Sequence, residues 1–98
     1  MKRYAVAWSD GGAVEAGRLD AYADRFELRG RACEKQIRFA DVEHAGIRRG
    51  PSERLRGLPV LVLELHDGEV VRVASLQGAG TLHELCEFVE RAELTLAP

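Results

Sequence analysis

Four arginines, Arg48, Arg49, Arg54 and Arg56, crowd one polar stretch in which Glu53 is the lone carboxylate. Guanidinium groups present forked donors that match carboxylate and phosphate oxygens, so this cluster is chemically suited to an anion. The stretch reads RRGPSERLRG. Gly50 and Gly57 permit sharp turns, but the spacing and the lysine of a phosphate-binding loop are absent. Three readings stand side by side: a solvated loop whose arginines pair with nearby carboxylates, a contact surface for another protein, or a small anion or nucleic-acid site. Leu55 inside this polar run reads as an anchor that tucks the loop onto the core or onto a partner.

Other chemistry is sparse. His44, His66 and His83 fall in no metal-ligand spacing and read as structural or solvent-exposed residues. Cys33 lies near a turn, while Cys86 sits within an apolar stripe and reads as a small core hydrophobe. Ser9, Ser52 and Ser75 occupy unrelated local settings, and Asp10, Asp20, Asp24 and Asp41 fall at or near turns or sheet rims, where solvation alone accounts for them. No nucleophile and base share a recognisable local arrangement. No catalytic residue, metal ligand or cofactor is therefore expected, and a small enzyme is a reading that no motif supports. Tyr4 and Trp8 share one strand parity. They either fill a core otherwise thinned by alanines or form an exposed aromatic strip at which two copies pair, since aromatics anchor interfaces.

These residues must be held by short elements. Tyr4, Val6 and Trp8 alternate with small residues as in a strand, and Asp10-Gly11-Gly12 supplies a turn. A second strand is predicted over about 13–21, where Gly17 marks a bend or a close approach by another backbone. Phe26 and Leu28 mark a third strand, Gly30-Arg31-Ala32 turns the chain, and EKQIRF at 34–39 forms a fourth. In 41–48, Val42, Ala45 and Ile47 fit neither period cleanly. A strand bulged near Ala45 would send all three to a core, and a single helical turn competes with it.

The sequence VLVLELHDGEVVRVAS is a hairpin around Asp67-Gly68. A two-residue loop would face Leu63 with Arg72. A three-residue loop, His66-Asp67-Gly68 with Gly68 left-handed, pairs Leu63 with Val71 and Leu61 with Val73, leaving Glu64 and Arg72 on the wetter face. The second register separates core from solvent better and is the one expected. A helix follows. Thr81 and Glu84 have capping-box spacing, and Leu82, Leu85, Cys86 and Val89 recur at helical intervals, with Phe88 and Ala92 widening the stripe. About three turns of helix cannot persist alone in water, so this one must lie on the strands.

The chain has 98 residues, enough for one domain (1–98) that buries somewhat over 60% of its extended-chain surface. Its net charge of -2 argues against a nucleic-acid footprint, although a local basic patch is compatible with it. Two cysteines in so short a chain suit a reducing, cytoplasmic setting better than a secreted one. The opening MKRYAVAW resembles a leader, but its apolar run breaks at Ser9-Asp10. No run approaches the ~20 apolar residues of a membrane span, and membrane contact is not expected.

Seven short antiparallel strands in a curled sheet or two-sheet barrel, closed by one C-terminal amphipathic helix, make an α+β architecture. The phrasing of GRLDAYADRFEL, IRFADVEHAGIRRG and LVLELHDGEVVRVAS with its helix resembles the pleckstrin-homology-like superfold, in particular its small bacterial domains. The resemblance covers nearly the whole chain and includes no diagnostic motif. Its lipid-binding members hold inositol phosphates with basic residues around the loop between the first two strands. Here that loop is Ser9-Asp10-Gly11-Gly12, with no Lys or Arg, which speaks against such a ligand. What the resemblance implies is a scaffold for protein contacts, and fold alone licenses no function. The expected role is a non-enzymatic interaction module, contacting a partner protein or a second copy. A loop binding an anion or membrane surface through Arg48, Arg49, Arg54 and Arg56 is the alternative.

Overall fold

A computed structural model describes the backbone of residues 1–78 and 80–96, and the side chains of 1–78 and 80–92. The order along the chain is β1 (Lys2–Ser9), β2 (Glu15–Ala21), β3 (Arg25–Arg29), β4 (Glu34–Arg38), a 3-10 turn (Phe39–Asp41), β5 (Val42–Arg48), β6 (Val60–Leu65), β7 (Val70–Ser75) and α1 (Gly80–Leu96). The strands form one antiparallel sheet in the order β4-β3-β2-β1-β7-β6-β5. Every neighbour is consecutive in sequence except the β1–β7 pair, which closes the two meanders into one sheet.

The sheet is curled. An ion pair of 2.5 Å from Lys35 on β4 to Glu69 in the β6–β7 turn ties its distant parts together. A close backbone approach occurs at Gly17, where a Cβ would lie 1.8 Å from the Arg29 carbonyl oxygen. Only glycine admits that approach, as the strand-interior glycine suggested.

One main core fills the concave face. Tyr4, Val6, Trp8, Leu19, Phe26, Leu28, Ile37, Leu61, Leu63, Val71 and Val73 meet the buried helix residues Leu82, Leu85 and Val89. Cys86, Phe88 and Ala92 lie beside them half-buried, so the helix presents the predicted stripe. It is longer than predicted, 17 residues and about 25 Å. A smaller cluster lies on the convex face, where Leu55 and Leu58 cover Ala7, Val60, Val62 and Ala74. The polar 49–59 loop is thus strapped down by its leucines, and Leu55 and Leu58 exchange two backbone hydrogen bonds.

The β6–β7 hairpin has the expected register, Leu61 facing Val73 and Leu63 facing Val71. Leu65 N donates to Glu69 O at 2.8 Å around a three-residue loop, and Gly68 has φ +89°.

Other local expectations change. Phe39 leaves the predicted fourth strand because its N–H donates to Asp24 O at 2.9 Å, which turns the chain into the 3-10 segment. Segment 42–48 is a strand, but its bulge falls between Val42 and His44 rather than near Ala45. Val42, Ala45 and Ile47 still all join the core. The helix begins at Gly80, so Thr81 lies inside it and is not its cap. The Glu84 carboxylate accepts from Lys2 Nζ and from Tyr4 Oη at 2.7 Å instead of reaching back to a cap amide. Tyr4 is buried, and a buried phenol must find an acceptor, so the tertiary partner takes the carboxylate.

Candidate functional site

Three of the four loop arginines, Arg48, Arg49 and Arg54, are engaged individually. Arg54 Nε donates to Arg49 O at 3.0 Å and Arg54 Nη1 to Gly57 O at 3.2 Å, so this side chain staples its own loop. Arg48 Nε is 3.9 Å from Glu53 Oε1, and Arg49 Nη2 lies 3.5 Å from His83 Nε2. Arg56 adopts φ +51°, and Leu55 is packed on the convex-face cluster. These contacts are those of a pinned surface loop.

Tyr4 and Trp8 are core residues, 7% and 1% exposed, so neither offers a ring to a partner. Trp8 Nε1 donates to Arg29 O at 3.3 Å. Self-pairing through the first strand also meets an obstacle: β1 lies between β2 and β7, leaving β4 and β5 as the edges.

Among the described residues no group of three or more His, Cys, Asp and Glu side chains can hold a metal ion. Cys33 is exposed, and desolvation followed by the nearby Glu15 and Asp10 carboxylates pushes its thiol up, away from the thiolate that chemistry would need. Cys86 Sγ lies 3.6 Å from Glu90 Oε1 on the same helix.

A concavity lies elsewhere, where the later part of α1 passes the β2–β3 turn, the end of β4 and the 3-10 turn. It is an open cleft of about 720 Å³. Phe88 and Ala92, half-buried over the core residue Phe39, supply apolar surface, while Arg25, Arg38, Arg91 and Asp24 supply charge. Three of its features follow from local structure. Phe39 is held by the 3-10 turn. Phe26, fully buried, meets Phe39 edge-on at 4.8 Å and Phe88 at 6.3 Å, so the apolar wall is a locked aromatic cluster. Arg25 is fixed by 2.8 Å bonds to Asp24 and Glu27 and stacks 4.1 Å above the Tyr22 ring. Those two carboxylates, Glu27 foremost, push the Arg25 guanidinium further up, so it is a permanent cation.

The linear pattern does not reveal this cleft, because three separated segments build it. One signal was available: a β3–β4 hairpin turning at Gly30 places Arg25 directly across from Arg38, as the register shows. Chemically the cleft offers apolar surface with cationic edges and no nucleophile.

No protein-family model matches the sequence, and no curated protein matches it. The comparison with solved structures is informative. The crystal structure of the C-terminal domain of an unknown protein from Leishmania infantum is similar at a TM-score of 0.70 and 15% identity, covering 91% of this chain and 82% of that one. The Vps36 N-terminal PH domain is similar at a TM-score of 0.71 and 18% identity, covering 97% of this chain and 80% of that one. At such identities the likeness shows the fold alone: the chain has a pleckstrin-homology-like α+β fold.

Proposed function

We propose that the chain works as one non-enzymatic interaction module, 1–98, which engages a partner protein through the cleft between α1 and the β2–β3 and β4 ends. The observation that carries this reading is the cleft itself: a preformed concavity with locked aromatics and charged edges, of a size that suits a bound segment. A separate partner fits better than an obligate second copy. Large exposed apolar side chains among the described residues are the scattered Met1, Val14 and Leu76, which form no broad self-complementary patch. The two free cysteines suit a reducing cytoplasmic compartment. No helix among the described residues is long and apolar enough to cross a membrane.

Capture from the source lysate tests the reading with three baits: wild type, Ala40→Trp, which fills the cleft from an exposed position, and a variant with Arg48, Arg49, Arg54 and Arg56 all changed to Ala. A specific protein retained by wild type and the loop variant but lost from Ala40→Trp supports it. Retention by Ala40→Trp with loss from the loop variant transfers the function to the arginine loop.

A further inference from the structure

We propose that two copies of this chain pair edge to edge through β4, antiparallel, with Gln36 of each copy on the two-fold axis, as a weak and reversible dimer. This stands beside the partner reading and does not rest on it, since self-association and capture of a different protein are measured separately.

The main chain of β4 shows which groups face outward. Gly30 N donates to Cys33 O at 2.8 Å, and Phe39 N donates to Asp24 O at 2.9 Å. Both ends of the β3–β4 ladder are therefore hydrogen-bonded pairs, and such pairs alternate with non-bonded ones along an antiparallel ladder. In the observed register, Lys35 and Ile37 direct their main-chain groups to Leu28 and Phe26. Glu34, Gln36 and Arg38 turn theirs away from β3, and β4 has no strand on that side. The same three residues carry exposed side chains, while Ile37 is buried in the core.

Symmetry then selects the register. Two identical antiparallel strands of one sheet are related by a two-fold axis perpendicular to it. That axis keeps every side chain on its own face, so only residues of the same parity face each other. Centred on Gln36, the pairing uses all three outward-facing residues: Gln36 meets its own copy, and Glu34 meets Arg38 twice. Moving the axis by one residue leaves either Glu34 or Arg38 with no facing strand residue. Opposite charges directly across a ladder stabilise it. Within one copy these two groups are poorly answered. Arg38 faces Arg25 across the β3–β4 ladder and is in no ion pair among the described residues. Glu34 has a 3.7 Å contact with Arg29, its side chain 71% exposed. A foreign strand would have to bring the matching charge order, whereas this chain supplies it itself. On the concave side the methylene stem of Lys35 meets Ile37 of the second copy, its ammonium already held by Glu69. The other edge is less suited, because β5 is bulged between Val42 and His44, a feature that blunts edge pairing.

Sedimentation equilibrium of the full chain from about 20 μM to about 1 mM tests this. β4 has five residues, so the pair buries little area, and the mass should climb toward two chains only in the upper part of that range. Gln36→Pro removes an outward N–H and no bond to β3, so the fold should persist, checked by the emission of buried Trp8, while dimerisation is lost. Glu34→Arg and Arg38→Glu each set like charges face to face, and each should weaken self-association roughly tenfold or more. An equimolar mixture of those two variants should associate again at least as tightly as wild type. Each copy then carries one sign at both positions, and the two copies carry opposite signs. A folding defect in either variant cannot produce that rescue. A wild type that stays monomeric throughout the range, a dimer that survives Gln36→Pro, or a mixture no tighter than its components overturns the proposal. If one of these occurs while lysate capture still depends on Ala40, the cleft reading stands. Capture indifferent to Ala40→Trp, with the mixture rescued, removes the cleft reading and supports the dimer.

Discussion

The Tyr4 hydroxyl donates a 2.7 Å hydrogen bond to Glu84 Oε1, joining the first strand of the chain to the early part of its last helix. Lys2 donates to the same oxygen, so one carboxylate collects two groups from β1. Hydrogen bonds from Lys2, first, and Tyr4 hold the Glu84 carboxyl below its ordinary value. Burial, followed by the bond to Glu84, pushes the Tyr4 phenol up. The signs follow from linkage. The Glu84 contribution is present above the unfolded carboxyl value of about 4.3 and disappears as pH falls through the lower folded value. The Tyr4 contribution is complete below about 10 and is lost as pH rises through the higher folded value. Tyr4→Phe should cost about 1 kcal/mol near neutrality and flatten both limbs of a plot of urea midpoint against pH. An unchanged plot would show that the latch carries no stability.

Gly17 is expected to tolerate no side chain. A Cβ there meets the Arg29 carbonyl oxygen at 1.8 Å and its carbon at 2.8 Å, and both are backbone atoms with little room to yield. Gly17→Ala should lower stability by about 3 kcal/mol, while Gly46→Ala should be far milder, because it approaches only the flexible Arg48 guanidinium at 3.1 Å. Chemical denaturation followed by fluorescence checks both. Trp8 is the single tryptophan and is fully buried, so its emission reports on this region directly.

The β6–β7 turn makes a separate demand. Gly68 has φ +89° and open space around it, so a substitution there costs conformation and not contact. Gly68→Ala should destabilise by about 1–2 kcal/mol, and Gly68→Asn by less, because asparagine accepts left-handed backbone more readily. Equal losses for both would indicate that crowding, absent from the structure, dominates.

The 49–59 loop is held by Leu55 and by the two Arg54 contacts to backbone carbonyls. Leu55→Asp should lift the strap from Ala7, Val62 and Ala74, and limited proteolysis should then cut within 50–57 before the rest of the chain is attacked. Arg54→Ala should produce a weaker version of the same pattern. Cleavage rates equal to wild type would mean that the strap owes its place to neither contact.

How much could be read in advance differs by element. The hairpin register was legible because a one-residue slip would have placed Leu63 opposite Arg72, and only one loop length keeps leucines and valines on the same face. The helix stripe was legible for the same reason, from Leu82, Leu85 and Val89 at helical spacing. Gly17 announced a close approach without saying that Arg29 makes it. Thr81 and Glu84 misled, because capping spacing is local and the carboxylate answered a buried phenol from the far end of the chain. Arg48, Arg49, Arg54 and Arg56 drew attention by adjacency, yet the cleft draws its arginines from β3, β4 and α1.

Alternation, turn chemistry and one helical stripe determined by themselves that strands would form a meander with a helix laid upon it, since each depends on neighbours a few positions apart. Which strands became edges, where the convex face acquired its leucine strap, and how Phe39, Phe88 and Arg38 came to share one hollow were decided only in three dimensions. The reason is that the β1–β7 pairing and the curl of the sheet join residues with no sequence relation, and the free energy of those contacts exists only once the whole chain has closed.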